Sequence, residues 1–396
     1  MEQDLKLATP SGIRDWPIGT APTKRFVENK LADLFACWGY EEIITGTIEY
    51  EDTIAQGLNE EEKGQLYRFY GREGEALTLR PDMTTPIARF VASQLADAPL
   101  PLRLFYTANV FRHEKTQAGR YREFYQAGIE LVGTDTGRGD AEVIILACEA
   151  LRTLGVEDFK IGVGQVQLLD SMLEISSLPE NRRYRLKQSI ADKDYVTVNA
   201  IIESSGLKPS ERELLNSLSL VQSGKEFFGR LENVQCPEAL SSQMDRLRDV
   251  FQALASAGLE DKVFIDLGIT RDFEYYTGIV FEVYTHALGF PICGGGRYNN
   301  LFSSFGCPRP ATGFALGIER ILLVLEKVGK MPAAVGGKLL VCGQDFKKVL
   351  RKASELRSQG YSVEIDVEGK PVGELKEYAR ATGMQLVEVS PEEEQL

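Results

Sequence analysis

Two runs of alternating side chains, Leu102–Glu114 and Arg122–Val132, flank the short basic loop KTQAGRY. Alternation over such lengths marks strands, and long strands joined by a short loop pair antiparallel. The stretch therefore reads as two strands joined by a basic loop. In FYQAGIELV the alternation puts Tyr125, Ala127, Ile129 and Leu131 on one face, which reads as core. Gln126, Gly128 and Glu130 share the other face, with the two polar side chains ~13 Å apart along the strand. Gly128 leaves a gap between them. Two polar groups flanking a hole suit a small ligand with donors at both ends; a solvated sheet face fits the pattern equally well.

Other elements follow from periodicity. Phe26, Val27, Leu31, Leu34 and Phe35 recur at helical spacing within Thr23–Cys37, and Gly39 stops that helix. Glu41–Tyr50 reads as one strand and Asp140–Leu154 as a helix. From about Leu168 to Asp261 the pattern is helical and polar, broken by Pro179, Gly206, Pro209 and Pro237, which suggests an insertion. Strand character returns in VFIDLG and YYTGIVFEVYT; the run GGGRY follows, and a further helix begins near Gly317. Residues 328–337 read as a linker. Beyond it, KLLVCG, a helix over Asp345–Ser358, YSVEIDV, a helix over Val372–Arg380 and MQLVEV make a β-α-β-α-β unit, small for an independent domain. Nine Lys/Arg against eleven Asp/Glu in residues 331–396 predict no basic face there. The expected organisation is a core over 1–327 with an insertion at about 168–261, a linker at 328–337 and a small α/β domain at 338–396.

Composition narrows the chemistry. The net charge of -13 argues against a global grip on nucleic acid. No stretch approaches the ~20 apolar residues of a membrane span, and the opening MEQDLKLATPSG has no secretory pattern. Six cysteines without a CxxC, and two histidines (His113 and His286), speak against a zinc site or a disulfide scaffold. They fit a reducing cytoplasm, and no metal or cofactor is expected. Ser–His–Asp chemistry is poorly supplied, and no G-x-x-x-x-G-K-[ST] phosphate loop is present.

Several weaker constellations remain. Arg112 and Glu114 share a strand face, and Lys115, Arg120 and Arg122 follow. Arginine forks match phosphate oxygens, although an exposed hairpin with solvated charges also fits. In TRDFEYYTGIVFE (270–282), Arg271 precedes Tyr275 and Tyr276. Alternation would point the tyrosines to opposite faces, one packing in the core and the other closing a pocket; two packing aromatics is the plainer reading. Gly294–Gly296 ahead of Arg297 and Tyr298 allows close backbone approach to a ligand, or a flexible turn. Arg320 falls in the first turn of a helix, where the dipole disfavours a cation unless an anion is there to be met.

Taken in order, LRPDMT (79–84), FRHEKTQAGRYREFYQAGIELVG (111–133), TRDFEYYTGIVFE (270–282) and GGGRYNNLFSSFG…TGFALGIERI (294–321) resemble the class II aminoacyl-tRNA synthetase core of the histidyl subtype. The resemblance covers Thr9 to about Glu326 and continues partway into that family's C-terminal anticodon-binding domain. It implies an α+β fold: an antiparallel sheet flanked by helices, a helical insertion and a truncated α/β C-terminal domain. By position it implies a histidine pocket at Asp82, Thr84, Gln126, Glu130, Tyr275 and Tyr276, with Arg112 and Arg271 adjoining. It also implies a vestigial ATP site at Arg112, Glu114, Arg120, Arg271 and Arg320.

The departures from that pattern carry information. The histidyl enzymes usually read LRPEGT, whereas Asp82 and Met83 stand here, a shorter carboxylate and a side chain that fills space. RGLDYY becomes RDFEYY, so Asp272 lies beside Arg271, and an acid there should weaken ATP binding. FHQ becomes Phe124-Tyr125-Gln126, and Gly46 replaces the proline of the dimer-interface segment. The C-terminal domain is expected to stop short, ending in SPEEEQL. This combination resembles the histidyl-synthetase-like regulatory subunits of ATP phosphoribosyltransferase, which opens histidine biosynthesis. That likeness implies a non-catalytic homodimer within a hetero-oligomer, partnered by a short-form catalytic subunit, with histidine as effector and no action on tRNA. A histidine–tRNA ligase with a shortened tail, or a plain scaffold, are the alternatives.

Overall fold

A computed structural model describes residues 7–113, 121–218, 220–231, 237–269, 275–332 and 337–390. Two compact units divide between Met331 and Pro332. In the first, nine strands form one sheet in the order Glu41–Glu42, Leu102–Phe111, Glu123–Val132, Ala311–Gly317, Cys293–Arg297, Ile279–Tyr284, Lys160–Gln165, Val263–Ile265 and Gln222–Ser223. Six of the eight neighbouring pairs run antiparallel; Glu41–Glu42 with Leu102–Phe111, and Lys160–Gln165 with Val263–Ile265, run parallel. The hairpin of Leu102–Phe111 and Glu123–Val132 forms the second and third strands of the sheet, with Glu130 opposite Leu104 on one side and Gly313 on the other.

The two faces of the Glu123–Val132 strand divide as alternation dictates. Ala127, Ile129 and Leu131 are buried beneath the helices Ala21–Cys37 and Gly137–Thr153, among Val27, Leu31, Phe35, Val143 and Ala147. Full burial of a side chain such as Leu31 or Phe35 contributes about 1.5–3 kcal/mol. The opposite face is covered rather than solvated. The helix Thr84–Gln94 lays Ile87, Ala88 and Val91 over it, at one-face spacing, together with Met83, Tyr106, Tyr275, Tyr298 and Phe302.

Several expectations change. Glu41–Tyr50 is not one strand: Glu41–Glu42 joins the large sheet, and Ile48–Tyr50 pairs with Ala76–Leu79 in a separate three-stranded sheet completed by Arg68–Tyr70. The glycine run is not a turn. Cys293–Arg297 is a fully buried strand, where the absence of side chains lets neighbouring groups cross the sheet face. Tyr275 and Tyr276 precede their strand, which starts at Ile279, so alternation does not govern them. The helical region includes Val166–Ile175, Glu180–Ala191, Tyr195–Ser204, Pro209–Leu218, Gly224–Leu231 and Ser241–Ser256, and it also supplies the sheet's edge strand, Gln222–Ser223.

The second unit is a parallel sheet in the order Ser362–Ile365, Lys338–Cys342, Gln385–Glu388. Phe346–Ser358 packs Val349 and Ala353 on one face of it, and Val372–Thr382 packs Leu375 and Ala379 on the other. The balanced charge total of this segment hides a segregation. The helix Phe346–Ser358 carries Lys347, Lys348, Arg351, Lys352 and Arg357 against the single acid Glu355, so a basic face is present after all.

Candidate functional site

A cavity of about 280 Å³ opens on the covered face of the large sheet. Its floor depends on glycines at two positions. A Cβ on Gly128 would lie 2.5 Å from the Tyr106 hydroxyl and 2.2 Å from the Phe314 carbonyl, so the gap between Gln126 and Glu130 is occupied by Tyr106 and not by a ligand. A Cβ on Gly313 would lie 1.9 Å from Glu130 Oε2. Glycine at 313 is what allows the Glu130 carboxylate to lie across the neighbouring strand.

Glu130 is 2% exposed. Thr84 Oγ1 donates to its Oε1 at 2.9 Å, and the Tyr298 hydroxyl donates to its Oε2. Burial pushes its pKa up to about 8; these two donors work against that shift, and nearby Asp82 adds to it. Burial likewise raises the Asp82 carboxyl, opposed by the Thr85 backbone N–H, which donates to Oδ1 at 3.1 Å, and by Arg112. Asp82 Oδ2 and Gln126 Oε1 are both buried and, among the described residues, accept no hydrogen bond. Both residues line the cavity. Buried acceptors without donors cost roughly 1–3 kcal/mol each, so the cavity is shaped to receive donors.

The arginines are placed differently. Arg112 Nε donates to the Pro81 carbonyl at 2.9 Å, its guanidinium 5.5 Å from the Phe124 ring. Arg320 Nη1 donates to the Pro291 carbonyl at 2.6 Å and lies over Phe290. Both line the cavity beside Glu319, whose carboxylate accepts the Tyr125 backbone N–H. Tyr275 and Tyr276 both line the cavity, rings 4.9 Å apart; Tyr275 is also a buried member of the apolar cluster, and Tyr276 packs half-buried against it.

The chain matches the family model for histidyl-tRNA synthetase over residues 12–321. It is 44% identical to the ATP phosphoribosyltransferase regulatory subunit of Moorella thermoacetica over 386 residues, covering 98% of this chain and 99% of the relative. The relative of that name from Symbiobacterium thermophilum is 41% identical, with 94% of each chain covered. The chain belongs to the ATP phosphoribosyltransferase regulatory subunit family. A solved Bacillus halodurans structure titled as an ATP phosphoribosyltransferase regulatory subunit/histidyl-tRNA synthetase matches with TM-score 0.83 and 31% identity, over 98% of this chain and all of that one. Histidyl-tRNA synthetase from Nostoc, at 24% identity and TM-score 0.79, shares the fold. Together these place the chain in the class II synthetase-like fold.

Within this family fold the structure gathers Asp82, Thr84, Arg112, Gln126, Glu130, Tyr275, Tyr276 and Arg320 around one cavity. Glu114, Arg120 and Arg271 lie outside the described residues. Two important members escape a reading of the sequence. Tyr106 stands directly opposite Gly128 in the hairpin, a register that signals a large side chain filling a glycine notch. Tyr298 follows the glycine strand, and only the strand assignment shows that it returns to Glu130.

Proposed function

We propose that this chain serves as the regulatory subunit of ATP phosphoribosyltransferase, at the first step of histidine biosynthesis. It supports a short-form catalytic subunit and conveys feedback inhibition, without itself transferring the phosphoribosyl group. Free histidine is the effector, bound in the cavity by Glu130, Gln126, Asp82 and Thr84, with Tyr275 and Tyr276 at its wall and Arg112 toward the carboxylate. The observation that carries the ligand assignment is the pair of unsatisfied buried acceptors, Asp82 Oδ2 and Gln126 Oε1, in the cavity that Glu130 also lines. An amino acid with an ammonium and an imidazole N–H supplies donors for them. Histidine must bind one arrangement of the complex better than another for the signal to pass, because a ligand shifts an equilibrium only through differential affinity.

The working unit is a homodimer. Support comes from the three-stranded sheet, where Ile48, Tyr50 and Phe69 share a face and are 53%, 61% and 37% exposed. The apolar face of Ala21–Cys37 is already used in the core, so the small sheet is the better surface for pairing. Sedimentation should give twice the 44.0 kDa chain mass at micromolar concentration; a monomer there would contradict the dimer.

Mixing the purified chain with its short-form catalytic subunit tests the function. Phosphoribosyl transfer should appear or rise on mixing, and histidine should suppress it. Transfer that is indifferent to the chain, or histidyl-tRNA formation by the chain alone, would overturn this reading.

A further inference from the structure

The helix Phe346–Ser358 uses Val349 and Ala353 to pack on its sheet, and the turn between its core flank and its outer face carries a second, separate pattern. Phe346 and Leu350, four residues apart, are 52% and 43% exposed. Lys347 and Arg351, also four apart, stand beside them and are exposed. Residues at this spacing lie one above the other on a helix. The result is an apolar ridge edged by a row of two cations. Neither cation makes an ion pair among the described residues, whereas Lys352 on the other flank pairs with Glu355 at 3.1 Å and Arg357 is held by the Val363 carbonyl at 2.8 Å. Phe346 also borders a groove lined by Gln344, Asp345, Lys348, Val389 and Ser390.

Resting on the regulatory-subunit reading above, we propose that this face docks the catalytic subunit through a surface of that partner where carboxylates edge an apolar ridge. Charge complementarity dictates the partner's acids, opposite Lys347 and Arg351. The half-exposed Phe346 and Leu350 require an apolar counterpart, the usual make-up of an interface centre with a charged rim. A nucleic acid fits less well. Phosphate binding gains strength with the number of contacts, and this ridge offers a row of two cations, Lys347 and Arg351.

The test uses the full chain and the full catalytic subunit. Lys347→Glu/Arg351→Glu reverses the row; Lys376→Glu, exposed on the other helix of the unit, serves as control. Thermal melting and circular dichroism check that each variant folds. Affinity is read by sedimentation at low and high salt, and a photo-crosslinking side chain placed at Phe346 identifies what lies against it. Reversal should weaken association by about tenfold at low salt, with the loss shrinking at high salt, because charge complementarity acts largely through screened interactions. The control should bind like the parent, and the crosslink should map to an acidic stretch of the catalytic subunit. Reversal no worse than the control would overturn the proposal, as would a crosslink to RNA or to a second copy of this chain. If the parent complex forms and answers to histidine while those results are seen, the docking face alone fails. If the parent does not bind the catalytic subunit, the regulatory reading and the docking face fail together.

Discussion

Gln126 and Glu130 stand four positions apart on one strand, yet the cavity is built on different terms around each. At Glu130 the carboxyl is enclosed, takes hydrogen bonds from Thr84 and Tyr298, and is pushed toward neutrality by burial. Around Gln126 the neighbouring arginines donate to the main chain at Pro81 and Pro291, while the Gln126 Oε1 acceptor is unmet. Asp82, electrostatically linked to both Arg112 and Glu130, holds the second unmet acceptor. The difference teaches a division of labour. In the proposed histidine site, Glu130 provides the charge that answers a cationic ligand and Gln126 an orientation.

The comparison can be broken most sharply at Glu130. Glu130→Ala removes a charge-assisted hydrogen bond of ~1.5–3 kcal/mol and strands two hydroxyl donors. Histidine binding should weaken by roughly 10–150-fold at 1.4 kcal/mol per decade. Histidine inhibition of the assembled complex should disappear at concentrations that inhibit the parent. Asp82→Asn keeps an oxygen for the Thr85 N–H but turns the unmet acceptor into a donor. A loss of about tenfold in histidine affinity, read by calorimetry, is expected from one failed hydrogen bond to a charged group. Gln126→Ala removes a neutral hydrogen bond and should cost only about 2–12-fold.

The pH dependence sharpens the same division. The Glu130 pKa lies near 8 in the folded chain against 4.5 ordinarily. Between those values the folded state holds the extra proton, so Glu130 stabilises the ligand-free chain at low pH. That contribution is lost as pH rises toward 8. An ammonium ligand needs the carboxylate, so binding below pH 8 must expel the proton. Histidine affinity should therefore rise from pH 7 to 8 and flatten above. Tyr298→Phe removes a donor that favours the charged form, so the plateau should move to higher pH, whereas Gln126→Ala should scale the affinity without moving it. Titration calorimetry of each variant across this range distinguishes the two behaviours.

Much of this architecture was legible from side-chain alternation. The division of the Glu123–Val132 strand into a core face and a polar face follows from its period, and motif order brings the pocket residues together. What alternation could not convey is the role of the glycines. GGGRY reads as a site of close backbone approach or a flexible turn, but in the sheet it is a buried strand whose missing side chains make room for neighbouring groups. Gly128 likewise reads as a hole, and only pairing with the Leu102–Phe111 strand reveals that Tyr106 fills it. Charge totals mislead for a related reason: acids elsewhere in residues 331–396 conceal the concentration of cations on Phe346–Ser358.

The central claim is that free histidine binds in this cavity by calling out the charge on Glu130. Isothermal titration of the full chain with histidine at pH 7.5, in two buffers of different ionisation enthalpy, tests it directly. Saturable binding by the parent is expected, with heats that differ between buffers because a proton leaves, and strong weakening with loss of the buffer dependence in both Glu130→Ala and the isosteric Glu130→Gln. Equal histidine binding by the parent and both variants, with heats independent of the buffer, would contradict it.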